Sequence, residues 1–159
     1  MNENCFTFYS ISPTETEVFG ETIGRLSGGG ELLLLEGTLG AGKTVMVKGI
    51  AKGLDIKNEI VSPTFIIIRS YKGRLILNHI DLYRIDSIDG LGLEEYLDDE
   101  DSITVIEWGE KLLNHLPLDE YLLVRIDVVD ENSREIVLEP RGERYIEYTR
   151  RIKDGISGY

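Results

Sequence analysis

Leu32 to Thr44 reads LLLLEGTLGAGKT: four leucines, a glycine-rich turn, and a lysine–threonine pair that opens an amphipathic stretch. Inside it, Gly37-Thr38-Leu39-Gly40-Ala41-Gly42-Lys43-Thr44 satisfies G-x-x-x-x-G-K-[ST] at every fixed position. The glycines let the backbone turn tightly, so that successive N–H groups face a polyphosphate. A helix starting near Gly42 adds the positive end of its dipole. Lys43 can then reach the β and γ phosphates, and Thr44 can offer its hydroxyl to Mg²⁺. The context agrees with the motif. The leucines form a buried strand that ends where the loop begins, and Val45, Met46, Val47, Ile50, Ala51 and Leu54 recur at helical spacing after it.

Outward from this motif, the chain of 159 residues is long enough for one domain with a real core. Upstream, Cys5 to Ile11 reads as a strand. Ser12-Pro13-Thr14-Glu15 is a helix start, with an N-cap, a proline at the first helical position and a glutamate three residues after the cap. Gly28-Gly29-Gly30 ends that helix. Downstream, Phe65–Tyr71 and Arg74–Ile80 predict a hairpin joined at Lys72-Gly73, with Asp81 just past it. Leu91–Leu97 predicts a short acidic helix, Ile103–Ile106 a strand, and Tyr121–Val129 with Glu135–Glu139 a second hairpin. The polar tail 141–159 reads as a surface helix or a partly disordered end. This pattern predicts a three-layer α/β domain of P-loop NTPase type, spanning 1–159, with a central mostly parallel sheet plus hairpins.

Composition narrows the function. A net charge of −12 counts against gripping nucleic acid alone, since phosphate neutralisation needs clustered Lys and Arg. The apolar runs are too short to span a membrane, and the N-terminus shows no secretory pattern. One cysteine, Cys5, cannot form an internal disulfide, so a cytoplasmic protein is expected. Glu94, Glu95, Asp98, Asp99, Glu100 and Asp101 concentrate negative charge, as a solvated helix end or as a surface for a basic partner.

A P-loop needs an acid at the end of a neighbouring apolar strand to help hold its metal. Two qualify: Asp81 after LILNHI, and Glu107 after ITVI. Either can face Mg²⁺, directly or through water, and the other can orient the attacking water. Thr64 lies 20 residues after Thr44, where a loop can sense the γ-phosphate; the competing reading is a turn with a capping hydroxyl. His79, flanked by apolar residues, reads as a strand histidine with its bonds satisfied. Trp108, the sole tryptophan, could pack against a base or partner, with a core role as the commoner reading. No Asn-Lys-x-Asp element for reading guanine is present, which favours ATP.

Four segments in order, GTLGAGKT, Ser62-Pro63-Thr64-Phe65, His79-Ile80-Asp81-Leu82-Tyr83-Arg84 and Glu107-Trp108, resemble the bacterial TsaE (YjeE) ATPase family, over roughly Thr16 to Glu139. The resemblance implies ATP and Mg²⁺ as ligands, slow hydrolysis alone, and stimulation by TsaB and TsaD in making threonylcarbamoyladenosine on tRNA. The transfer chemistry belongs to TsaD, and tRNA is met only through the complex. By position, it implies that Gly37, Thr38, Leu39, Gly40, Ala41, Gly42, Lys43 and Thr44 hold the phosphates. Thr64 lies in a mobile segment, Asp81 matches the Walker-B-like acid, and Glu107 is an acid of the metal site. Pro13, Thr14 and Arg134 are implied to border the base. Thr38 stands where the family often has Asp, Val45 where a second Thr is common, and Gly109 where Pro often follows Glu-Trp. None of these removes a phosphate or metal ligand. Two rivals remain: a small-molecule kinase, and a binding module gated by nucleotide.

Overall fold

The computed structural model describes residues 3–61, 68–87 and 90–157. In chain order the elements are β1 (Phe6–Ser10), α1 (Pro13–Arg25), β2 (Leu32–Glu36), α2 (Lys43–Gly53), β3 (Ile68–Lys72), β4 (Ile76–Asp81), β5 (Ser102–Glu107), β6 (Tyr121–Val128), β7 (Arg134–Arg141) and α3 (Glu143–Ser157). Short 3₁₀ turns cover Leu93–Tyr96 and Gly109–Asn114. The strands form one sheet in the order β1-β7-β6-β2-β5-β4-β3. Its centre, β6-β2-β5-β4, is parallel, and the flanking pairs are antiparallel. The expected parallel character therefore holds for the centre. The two hairpins and the β1–β7 pair add as many antiparallel pairings, and the sheet is mixed.

β2 shows why its four leucines run unbroken. Leu33 and Leu35 enter the core beneath the helices, while Leu32 and Leu34 enter a second core on the opposite face. Both faces of a central parallel strand are covered, so alternation disappears. All three helices lie over the first face, where Phe19, Ile23, Met46, Val47, Ile50, Tyr148 and Ile152 are buried. The third layer is thinner than a doubly wound fold supplies, being built from the 3₁₀ turns and loops through Leu93 and Leu112. The segment expected as an acidic helix is one of these turns, Leu93–Tyr96. With six carboxylates in Glu94–Asp101 exposed, like-charge repulsion works against further helical turns.

α1 starts as its sequence requires. The Glu15 N–H donates to the Ser12 hydroxyl at 3.1 Å, and the Glu15 carboxylate accepts from the Ile11 N–H at 3.2 Å. The tail forms α3, the surface helix of the two alternatives, and one of its faces is packed. Its outer face is polar, yet Tyr145, Tyr148 and Ile152 are buried at helical spacing, and the Tyr148 hydroxyl donates to the Ile23 carbonyl.

α1 and α2 cross almost without intervening side chains. A Cβ built on Gly20 would lie 2.4 Å from the Met46 carbonyl oxygen, and one on Gly24 2.2 Å from that of Ile50. From the other helix, a Cβ on Gly49 would lie 2.0 Å from the Glu17 oxygen, and one on Gly53 2.2 Å from that of Glu21. Helix propensity alone would favour Gly49→Ala by about 1 kcal/mol. The obstructing atom is backbone, however, and cannot rotate away, so overpacking at about 1–3 kcal/mol or more decides the sign. Gly49→Ala is expected to lower the melting temperature by roughly 2–12 °C. A thermal melt unchanged or raised would contradict this packing.

Candidate functional site

The site gathers at the C-terminal ends of β2, β4 and β5. Between β2 and α2 the loop passes through Gly40 at φ 81° and Gly42 at φ 108°, the left-handed region that favours glycine. At Gly37 the need is for space: a Cβ there would lie 2.7 Å from the Ile126 carbonyl oxygen on β6. Lys43 is only 5% exposed, although it carries a charge. Its Nζ donates to the carbonyls of Gly37 at 2.6 Å and Thr38 at 2.8 Å, and lies 4.3 Å from the centre of the Trp108 ring. Burial pulls its pKa below the ordinary lysine value, while Glu107, Glu110 and Asp81 push it back up.

The two candidate acids face each other because β4 and β5 run parallel in a register that pairs Asp81 with Glu107. Both are the last residues of their strands. The Thr44 hydroxyl, on the first turn of α2, lies 3.2 Å from each oxygen of Glu107. Burial raises the Asp81 carboxyl above its usual range, and nearby Glu107 adds to this. The Tyr83 N–H, donating at 2.9 Å, and the charges of His79 and Lys43 oppose the rise. Two adjacent carboxylates and a hydroxyl are an all-oxygen donor set, which suits a hard cation. Among the described residues no group of three or more His, Cys, Asp or Glu could cage a metal alone. Mg²⁺ does not need one, since it is held by one or two carboxylates with phosphates and waters. The residues present therefore fit Mg²⁺ bound together with a nucleotide.

A cavity beside the loop is lined by Pro13, Thr16, Gly40, Gly42, Val45, Asn132 and Arg134. Pro13 and Arg134 thus meet at one hollow. Thr14 is exposed on the first turn of α1 and is not in that lining, where Thr16 takes part. Arg134 Nε donates to the Ala41 carbonyl at 2.8 Å, and its Nη1 donates to those of Asp130 and Ser133 at 2.8 and 2.9 Å. It ties the β6–β7 turn to the phosphate loop. Leu39 is exposed at the tip of that loop. Thr64 lies outside the described residues.

Three residues have places at the site that their local sequence does not specify. Trp108 packs against the second core only in part. It sits at φ 59° and is half-buried, its ring 5.0 Å from that of Tyr83 and close to Lys43. A non-glycine residue in that conformation marks a site held by its surroundings. Glu110 lines a second hollow with Thr38, Trp108 and Arg125, and burial raises its carboxyl above the usual range. Nothing in its sequence context separates it from an ordinary surface glutamate. His79 is fully buried, and its Nε2 lies 2.6 Å from Glu107 Oε2. Parity could have found it, because His79 precedes Asp81 by two and so shares its face of β4.

Comparison with known proteins converges on one family. The model for "Threonylcarbamoyl adenosine biosynthesis protein TsaE" matches residues 10–136. The "tRNA threonylcarbamoyladenosine biosynthesis protein TsaE" of Treponema pallidum is 41% identical over 133 residues, covering 81% of this chain and 96% of the relative. Its namesake from Bacillus subtilis is 38% identical over 138 residues, covering 86% of each. The crystal structure of YdiB from Bacillus subtilis superposes with a TM-score of 0.81 at 34% identity, over 94% of this chain and 95% of that one.

Proposed function

The chain belongs to the TsaE family, and on that premise we propose that it is a Mg-ATP-binding P-loop ATPase, with 1–159 as one domain. It supports formation of threonylcarbamoyladenosine on tRNA as an accessory subunit to a TsaB–TsaD pair, in the cytoplasm. The observation that carries the reading is the convergence of Lys43, Thr44, Asp81 and Glu107 at one end of the sheet. That no helix among the described residues is long and apolar enough to cross a membrane accords with it.

In this mechanism the N–H groups of Gly37 to Thr44 and the Lys43 ammonium hold the β and γ phosphates. Mg²⁺, when bound, offsets the charge of those phosphate oxygens. Thr44 and one of Asp81 and Glu107 supply oxygens to the metal site. The other acid orients a water in line with the γ-phosphorus. As the water oxygen bonds to phosphorus, the bond to the β–γ bridging oxygen breaks, leaving ADP and phosphate. Pro13 and Arg134 border the base, and the segment around Thr64 reports the nucleotide state. The net charge of −12 argues that tRNA is met through the partners.

Phosphate release from Mg-ATP tests this, with the chain alone and then with TsaB, TsaD and tRNA. Slow release that rises sharply with the partners is expected. Transfer of phosphate to a small molecule would identify a kinase instead. Tight ATP binding without release in either condition would identify a nucleotide-gated binding module.

A further inference from the structure

His79 is an uneconomical residue to bury unless it has a task. It is 0% exposed on β4, on the same sheet face as the buried Leu77 and next to Val105 in the register. Its Nδ1 has no hydrogen-bond partner among the described residues, and leaving a buried polar atom unpaired costs about 1–3 kcal/mol. A histidine serving only to fill the core would be better replaced by an apolar residue of similar volume. Among the described residues, the one polar partner of its side chain is Glu107, through the 2.6 Å bond between Nε2 and Oε2. An ionised carboxylate only accepts, so Nε2 carries the proton and donates.

That bond addresses a weakness of Glu107. The terminal torsion of a glutamate is broad and weakly defined. Thr44 does not fix it, because its hydroxyl sits 3.2 Å from both carboxylate oxygens. An imidazole packed rigidly in the sheet and bonded to Oε2 does fix it. We propose that His79 is a positioning residue, whose Nε2–H locks the Glu107 carboxylate in the orientation that presents it to Thr44 and the metal site. The residues form a line from His79 on β4 through Glu107 on β5 to Thr44 on α2. The inference rests on the Mg-nucleotide reading above. Outer partners of metal-binding side chains typically contribute about 10–100-fold to metal affinity or activity.

The test is calorimetric titration of the full chain with ADP across a Mg²⁺ series, which needs no turnover. His79→Met fills similar volume without a donor, and His79→Gln carries an N–H that can reach Oε2. His79→Met is expected to raise the Mg²⁺ concentration for half-maximal tight ADP binding by about 10–100-fold, with metal-free ADP affinity unchanged. His79→Gln is expected to recover most of the loss. If His79→Met does not fold, His79→Asn, whose amide stops short of Oε2, carries the same expectation. A folded Met or Asn variant with the wild-type Mg²⁺ requirement would overturn the proposal, as would a Gln variant no better than these. If the wild-type chain binds no ADP, the nucleotide reading itself falls. If it binds with normal Mg²⁺ dependence and the variants match it, only the role of His79 falls.

Discussion

Lys43→Ala is expected to weaken ATP binding by at least about 30-fold, from the roughly 2–5 kcal/mol lost when one partner of a buried, hydrogen-bonded charge pair is truncated. Lys43 is 5% exposed, and its charge sits among those of Glu107, Glu110 and Asp81. It is a cation withdrawn from water and held ready for an anion. The substitution also strips the donor from the Gly37 and Thr38 carbonyls, which loosens the turn that presents the loop N–H groups. The lost charge acts on polyphosphate alone, while the loosened turn also reaches the cavity, which Gly40 and Gly42 help to line. The loss should therefore be greater for ATP than for adenosine. Equilibrium titration with ATP in Mg²⁺ measures it, and unchanged affinity would remove the phosphate-loop assignment.

Glu107→Ala separates binding from chemistry. Turnover with the partners present is expected to fall by about 100-fold or more, within the range attributed to a positioned acid or base. ATP affinity at saturating Mg²⁺ should change by less than about 10-fold, because the loop N–H groups and Lys43 remain. The asymmetry arises from placement. Glu107 ends β5 opposite Asp81, in contact with Thr44 but not in the phosphate loop. Single-turnover phosphate release alongside an ATP titration reads both quantities. Wild-type turnover would exclude Glu107 from the mechanism.

Legibility in the sequence followed the range of the interactions concerned. The phosphate loop, both hairpins and the capped start of α1 were readable because the residues that determine them are neighbours in the chain. Asp81 and Glu107 were readable as strand-end acids, but their pairing depends on β4 lying beside β5, which no local pattern encodes. Tyr145, Tyr148 and Ile152 mark an apolar stripe in the tail that its many charges obscured. Trp108 was legible only as a choice between core and ligand or partner, because an aromatic after a buried strand ordinarily turns inward. Here the chain bends through a left-handed residue and brings the ring to Lys43. The alanine-tight spacings Gly20–Gly24 and Gly49–Gly53 were plain to see, yet they acquire meaning only when two helices are brought together.

That crossing has a mechanical consequence. Helices separated by long side chains can slide, since each rotamer change absorbs a little movement. Helices whose carbonyl oxygens rest against each other's Cα atoms have no such play, and α1 and α2 must travel as one strut. One end of the strut is the Pro13 corner and the other helix begins at Lys43, so the floor beneath a nucleotide is stiff. Any adjustment around a bound nucleotide would then fall to the walls, at the β6–β7 turn and the bend at Trp108.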